Sequence, residues 1–304
     1  MIDFINYYYN LYPLNINEYD NKYMFYFENE KYYFMPYDRD ISELDELVSL
    51  NKYMINNGSL VHEIILNKFK KVLTLHNNKN YILLRVFIND TKIVNIDDII
   101  FMLNELKIKF NKNNILNRVN WSNLWESKID YLEYQMVHIL KKYPVLYNII
   151  DYYIGLGENA IQYFKSIVPT YNGNIEIGVC HKRINYNSTL FDLYNPLNLV
   201  IDYKVRDLSE YIKSVFFNTN NISLVINKLF NKYYFDKLNS SLFISRLLFP
   251  SYFFDMFEDI VYNNVNENKI ECIIKKSSSL ENFIGLLIKR FNIQTIGWIE
   301  VKLH

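Results

Sequence analysis

The chain has 304 residues, and half of them are hydrophobic, which allows a sizeable core and excludes a disordered protein. Lys plus Arg and Asp plus Glu each total 33, so the chain has no formal net charge and lacks the basic field typical of nucleic-acid-binding proteins. Two cysteines, Cys180 and Cys272, are too few to staple a chain of this size and fit a reducing compartment. We therefore expect a cytoplasmic protein with no nucleic-acid partner.

Residues 1–89 read mainly as strands. Two segments rich in aromatic residues flank Glu28–Lys31, which predicts a hairpin. A helix is predicted to follow, with Ser42 as its N-cap and Gly58 at its end. The segments predicted to form strands are residues 23–27, 32–35, 61–66, 72–75 and 81–89.

Residues 90–304 are predicted to be mainly helical. Apolar residues recur with helical period in most of this part, and Pro144 is expected to close the first of its helices. Residues 168–206 read as an irregular insert. The predicted helices are residues 125–140, 146–164, 208–216, 222–237, 241–263 and 279–291. The chain therefore divides into a small strand-rich lobe, residues 1–89, and a large helical lobe, residues 90–304.

No membrane span, secretion signal or metal cluster is expected. The start of the chain has no basic region followed by a small-residue cleavage site. The most apolar run, Leu247–Phe254, contains a proline and is far shorter than the roughly 18 residues that cross a bilayer. The five histidines show no spacing typical of a zinc site. We expect no membrane partner.

The most informative segment lies between Val179 and Tyr211. It contains Cys180-His181-Lys182-Arg183, Leu190-Phe191-Asp192, Ile201-Asp202-Tyr203 and Asp207-Leu208-Ser209. Here the chain resembles the aminoglycoside phosphotransferase and choline kinase-like family, and more narrowly the spore-coat-associated kinase-like proteins of Firmicutes. That family has a His-Gly-Asp-x-x-x-x-Asn loop with the catalytic base and a metal-binding Asn. It also has an Ile-Asp-Phe or Ile-Asp-Trp step with a metal-binding Asp, and an Asp-Leu-Ala that opens a large helix.

The resemblance implies an α+β, bilobal, protein-kinase-like fold and a set of corresponding residues. His181 matches the family His, and Asp192 and Asp202 are rival matches for the metal-binding Asp. The strand at Leu83, Leu84 and Arg85 resembles the one that leads to the nucleotide-binding hinge. Glu43 and Glu46 lie where the family has a helical Glu in the small lobe.

The departures from the family pattern indicate a degenerate site. Arg183 stands where the catalytic Asp belongs, and a guanidinium stays protonated and accepts nothing. The loop Asn falls on Ser188 or on Asn187. No glycine precedes Gly58, so the turn that lets backbone amides approach phosphates is missing. Where the family has its phosphate-pairing Lys, this chain offers Met35 or Pro36.

Structural roles compete with these chemical ones. Asp207 is expected to cap the helix at Leu208 and to pair with Arg206 or Arg183. The basic residues His181, Lys182 and Arg183 are expected either to hold an anion or to bond the nearby carboxylates of Asp192, Asp202 and Asp207.

We therefore expect a catalytically degenerate kinase-like protein, a pseudo-phosphotransferase that acts as a structural or protein-interaction module. No cofactor is expected, a protein partner is expected, and spore association follows if the source organism sporulates. One alternative is an active small-molecule phosphotransferase that uses ATP and Mg²⁺, with Asp192 and Asp202 as metal ligands. The other is a nucleotide sensor that binds ATP without transferring phosphate.

Overall fold

The computed structural model describes residues 1–87, 91–105, 115–139, 142–168, 176–293, 297 and 299, with the backbone alone at 139. The chain divides into two compact units. The first contains residues 1–95, 101–117 and 178–201, and the second contains residues 96–100, 118–177 and 202–304. Residues 88–89 of the predicted hinge strand, residue 140 of a predicted helix and residues 169–175 of the predicted insert lie outside the described residues.

An antiparallel sheet dominates the first unit. Its strands follow the order β1-β2-β3-β6-β4, and β5 pairs with another stretch of β6. The predicted strands are confirmed within a few residues. The strand predicted over residues 72–75 begins two residues later, at Thr74. The six strands are β1 (Ile16–Tyr19), β2 (Lys22–Phe27), β3 (Glu30–Pro36), β4 (Glu63–Ile65), β5 (Thr74–His76) and β6 (Lys79–Val86).

Three hairpins of this sheet turn on two residues each, and all six turn residues have positive φ. The turns are Asp20-Asn21, Glu28-Asn29 and Asn77-Asn78, with φ between 48° and 64°. Such left-handed pairs match the twist of the flanking strands, and asparagine tolerates this region better than most residues. The chain therefore builds tight hairpins without glycine.

The turn between β2 and β3 gives a test of this arrangement. We expect Asn29→Ala to lower the free energy of unfolding by about 1 kcal/mol, because alanine at φ 64° is strained. Asn29→Gly should cause no loss, since glycine adopts this region freely. Urea unfolding of the two variants checks the pair, and equal losses would contradict the strain argument.

Two helices pack with this sheet, α1 (Ile2–Tyr9) and α2 (Leu44–Asn56). Ile5 and Tyr9 of α1 are buried in an aromatic core with Phe34 and Leu83. The sequence did not predict α1. The second helix was predicted, but its cap was wrong, because Asp40 rather than Ser42 caps the short 3₁₀ turn that leads into it.

The predicted insert is partly regular. β7 (Ile177–His181) pairs with β8 (Leu199–Tyr203) in a two-stranded sheet. Between them lie the short helix α6 (Leu190–Tyr194) and a 3₁₀ turn at Pro196–Asn198. The prediction of an irregular segment is therefore wrong for these residues.

The remaining helices include the largest elements of the second unit. The central one is buried along its length, from Leu238 to Leu248. None of the described helices is long and apolar enough to cross a bilayer. The remaining helices are α3 (Ile96–Glu105), α4 (Trp121–Ile139), α5 (Pro144–Ile167), α7 (Val205–Asn218), α8 (Ile222–Lys232), α9 (Lys237–Leu248), α10 (Ser251–Tyr262) and α11 (Glu271–Phe291).

Two prolines explain where these helices differ from prediction. Pro144 opens α5 instead of closing the preceding helix, a position at which its missing N–H costs nothing. Pro250 divides the predicted helix over residues 241–263 into α9 and α10. Gly157 lets α4 approach α5, since a Cβ there would lie 2.9 Å from Cδ1 of Ile129.

Candidate functional site

The predicted loop residues follow β7 directly. His181 is 1% exposed, and its Nε2 lies 2.7 Å from the carbonyl oxygen of Leu193. A carbonyl only accepts, so Nε2 carries the hydrogen of this bond. Lys182 and Arg183 are exposed beside it. His181 thus connects the end of β7 to α6, while the two cations lie at the surface.

Asn198 holds this loop in place through four backbone groups, three of them bonded by its side chain. Its side-chain oxygen accepts from the N–H of Arg183 at 3.0 Å, and its amide nitrogen donates to the Arg183 carbonyl at 2.7 Å. The same nitrogen donates to the carbonyl of Asp192 at 3.2 Å, and its own carbonyl accepts from the N–H of Lys182 at 2.6 Å. The backbone around Arg183 is therefore fixed by a side chain that the sequence analysis did not single out.

The two candidates for the metal-binding Asn lie in a tight turn. The hydroxyl of Ser188 accepts from the N–H of Asn185 at 3.0 Å, and Asn187 donates its own N–H to the side chain of Asn185 at 2.8 Å. Ser188 is 6% exposed, whereas Asn187 is exposed. The hydroxyl of Ser188 is therefore used to close the turn.

Asp192 belongs to a capping box at the start of α6. One of its carboxylate oxygens, Oδ2, accepts from the N–H of Thr189 at 2.8 Å and from the Thr189 hydroxyl at 3.0 Å. Such reciprocal bonds satisfy helix N–H groups that would otherwise lack a partner. Across the described residues, no three His, Cys, Asp or Glu side chains gather closely enough to hold a metal ion.

Phe191 joins this segment to the face of the large sheet. Its ring centroid lies 4.7 Å from that of Tyr33 on β3 and 5.1 Å from that of His62. The backbone N–H of His62 donates to the Tyr194 carbonyl at 2.9 Å. Phe191 also packs against the buried cluster that contains Met35, together with Leu197. Aromatic and aliphatic side chains therefore cover this part of the sheet.

The three hinge candidates lie on β6 with different surroundings. Leu83 and Leu84 are fully buried, in separate clusters on opposite faces of the sheet. Arg85 is partly exposed and pairs with Glu30 at 3.0 Å and with Glu63. Whether this strand binds a nucleotide stays a prediction.

Arg39, in the loop after β3, contacts Glu43, the residue directly before α2. Arg39 donates Nε to Glu43 at 2.6 Å, and its Nη1 donates to the carbonyls of Leu197 at 2.9 Å and Leu199 at 2.7 Å. The side chains of Arg39 and Glu43 are 5% and 11% exposed. The other candidate, Glu46, accepts from the N–H of Leu116 at 3.1 Å. Both carboxylates therefore have structural partners.

In the second unit, Asp202 is fully buried and surrounded by donors. Its Oδ1 accepts from Nε1 of Trp121 and from the N–H of Tyr203, both at 2.8 Å, and its Oδ2 accepts from Arg206 at 2.6 Å. Burial raises the pKa of Asp202, and the positive charges of Arg206 and Arg246 oppose part of that shift.

The predicted role of Asp207 as a helix cap is wrong. The helix α7 begins at Val205, so Asp207 is the third residue of its first turn, where a negative charge is favourable. The predicted partner Arg206 bonds Asp202.

A buried ion network surrounds Asp202. Glu210 accepts from Arg246 at 2.6 Å and pairs with Lys213 at 3.0 Å, and it also accepts from the hydroxyl of Ser251 at 3.1 Å. Burial alone would raise the pKa of Glu210, but the charges of Lys213, Arg246 and Arg206 hold it well below the ordinary value. The network comprises Asp202, Arg206, Asp207, Glu210, Lys213 and Arg246, three acids and three bases.

Lys213 should make the stability of the chain depend on pH. Burial lowers its pKa to about 8, so between pH 8 and 9.5 the unfolded chain binds more protons at this group than the folded one. The free energy of unfolding should therefore rise with pH in this range. We expect a slope up to about 1.4 kcal/mol per pH unit steeper in the native chain than in Lys213→Met. Parallel slopes in urea unfolding would contradict the lowered pKa.

The comparisons with known proteins place this chain in a family. Residues 2–286 match the model of a family described as spore coat putative kinase YutH. The chain belongs to this family. The endospore coat-associated protein YutH of Bacillus subtilis (strain 168) is 26% identical over 194 residues, which are 57% of this chain and 57% of that protein. The match thus spans a little over half the length of the curated relative.

Solved structures share the fold of this YutH-family chain. An aminoglycoside phosphotransferase from Alicyclobacillus acidocaldarius superposes with a TM-score of 0.55 at 10% identity, covering 93% of this chain and 94% of that one. A microcompartment-associated aminopropanol kinase gives a TM-score of 0.58 at 7% identity and covers 94% of both chains. The predicted α+β, bilobal, protein-kinase-like fold is therefore confirmed, as is the resemblance to kinase-like spore coat proteins.

Proposed function

We propose that this YutH-family chain is a catalytically degenerate kinase-like protein that serves the spore coat as a structural or protein-interaction module. The observation that carries the proposal is the state of its two candidate metal ligands. Asp192 accepts two bonds from Thr189 in the capping box, and Asp202 is 0% exposed with donors from Trp121, Tyr203 and Arg206.

The residues present do not fit ATP and Mg²⁺. A magnesium ion demands near-ideal octahedral oxygen ligands, and withdrawing Asp202 from Arg206 would leave a buried guanidinium without its carboxylate. The tight turn Asp20-Asn21 between the first two strands contains no glycine and carries a negative charge, which disfavours the approach of a phosphate.

The loop chemistry supports the same proposal. Phosphoryl transfer depends on positioning and electrostatic stabilisation, and a carboxylate normally orients the substrate hydroxyl and accepts its proton. Arg183 provides a permanent cation at the corresponding position. The bonds from Asn198 fix the backbone of Arg183, which favours a static loop over a reactive one.

A nucleotide titration tests the catalytic half of the proposal. We expect no change in the melting temperature of the full chain with 5 mM ATP and Mg²⁺, and no radiolabelled γ-phosphate on any acceptor. A ligand present at 100 times its Kd would add about 2.7 kcal/mol of stability. A shift without transfer would favour the nucleotide sensor instead, and transfer lost in Asp192→Ala or Asp202→Asn would establish the active phosphotransferase.

The spore-coat half is supported by the family to which the chain belongs and by the name of its Bacillus subtilis relative. We expect a fluorescent fusion produced in sporulating Bacillus subtilis to remain with purified spores. Arg183→Asp should remain as well, because the proposed role needs no catalysis. Fluorescence confined to the mother-cell cytoplasm would contradict this half alone.

A further inference from the structure

A cleft between α5 and α11 has no part in the proposed function. Its volume is about 300 Å³, at the lower end of the range typical of small-molecule sites. Two aliphatic side chains, Ile149 and Ile274, and the rings of Tyr152 and Tyr153 provide its apolar surface. Both helices belong to the second unit, so the cleft is internal to one compact body.

Hydrogen bonds at the base of the cleft fix where the hydroxyl protons of its serine and tyrosine side chains lie. The hydroxyl of Ser277 donates to the Ile273 carbonyl at 2.9 Å, so the Tyr153 hydroxyl, 2.8 Å away, donates to Ser277. Tyr152 donates to the carboxylate of Glu281, which is 2% exposed. Burial and the neighbouring Glu281 raise the pKa of Tyr152, which keeps its proton. Tyr153 is buried, whereas Tyr152 is partly exposed, so the Tyr152 oxygen retains a lone pair that can accept a hydrogen bond from a ligand.

The rim adds groups that both donate and accept. Asn148 and Ser278 are exposed, and neither side chain makes a hydrogen bond within the part of the chain that the structure describes. An amide and a hydroxyl thus line the same cleft as Tyr152. A ligand there would meet the Tyr152 oxygen as an acceptor and mixed donors and acceptors on the rim.

Charge narrows the class of ligand further. Among the described residues that line the cleft, none carries a formal charge, so a phosphate or an ammonium group would lose hydration without gaining a counter-ion. A neutral ring with several hydroxyls and an apolar face would satisfy both kinds of surface. We propose that this cleft binds a neutral sugar ring, such as the terminal residue of a glycan.

Saturation-transfer difference NMR on the full chain tests the proposal directly. The probes are methyl α-D-glucopyranoside, methyl β-D-galactopyranoside and methyl N-acetyl-β-D-glucosaminide at 1–20 mM (roughly the range for a small, solvent-open site). Glucose 6-phosphate and glucosamine serve as charged comparisons. We expect at least one neutral glycoside to give a saturable signal and the charged sugars to bind more weakly.

Two variants on one helix locate the binding. Ser278→Phe places a ring in the opening and should weaken the best glycoside about tenfold or more. Ser279→Phe, also exposed but outside the lining, should leave its Kd within about twofold. Tyr152→Phe removes one phenol oxygen and should weaken binding about three- to tenfold. If no neutral glycoside binds, if the charged sugars bind as tightly, or if both serine variants behave alike, the proposal is wrong.

Discussion

Arg206→Ala is expected to lower the free energy of unfolding by about 3–5 kcal/mol, because it leaves the carboxylate of Asp202 buried without its cation. Trp121 and Tyr203 would continue to donate to Asp202, but neither brings a positive charge. Urea unfolding followed by tryptophan fluorescence measures the loss, since Trp121 contacts the same carboxylate.

Two variants distinguish an uncompensated charge from a simple loss of contacts. Asp202→Asn combined with Arg206→Met removes both charges and should recover a large part of the stability. Lys275→Ala removes a cation from an exposed pair with Glu271 and should change stability by no more than about 0.5 kcal/mol. If Arg206→Ala lost as little as Lys275→Ala, the network would not be energetically important.

Arg39→Ala should lower the free energy of unfolding by about 3 kcal/mol. The guanidinium serves Glu43 and the carbonyls of Leu197 and Leu199 at once, so its removal takes a donor from three acceptors. Arg39→Lys should lose roughly half as much, since a single ammonium lacks the planar fork that reaches all three.

Hydrogen exchange separates this effect from a general loss of stability. We expect Arg39→Ala to expose amides of the segment 197–201 to faster exchange than those of β2. Lys52→Ala, an exposed residue on α2, should change stability by no more than about 0.5 kcal/mol. Unchanged exchange in the segment 197–201 would contradict the role given to Arg39.

The sequence predicted the helices and strands whose signals come from residues close together in the chain. The hairpin at Glu28-Asn29 and the amphipathic helix at Leu208 follow from turn chemistry and from apolar residues at helical spacing. Helix α1 escaped prediction because its sequence, with three tyrosines in a row, has strand propensity. Packing of Ile5 and Tyr9 against the sheet favours the helix instead.

Pro144 was predicted to end one helix, but it lies at the start of the next. Pro144 is compatible with the termination of one helix and with the first turn of the next, and only the structure shows which applies. The predicted cap at Asp207 was wrong for a related reason, since the helix starts three residues earlier than its apolar period indicated.

The residues of the candidate site were predicted from motifs. The hydrogen bonds that support them were not predicted. The resemblance singled out His181, Arg183, Asp192 and Asp202, and their correspondence to the family's catalytic and metal-binding positions stays a prediction. Arg39 and Asn198 had no motif to mark them. The two carbonyl partners of Arg39 lie about 160 residues away, at a separation that composition and period do not encode.

The three acids and three bases around Asp202 also bear on how the chain responds to heat. Hydration of charged groups becomes less favourable as temperature rises, so keeping these largely buried ions away from water costs less in hot solution than in cold. The same network that is expensive to bury at 25 °C therefore becomes relatively more stabilising on warming. A protein built around such ions would hold its helical unit together best at temperatures at which apolar contacts alone gain little more.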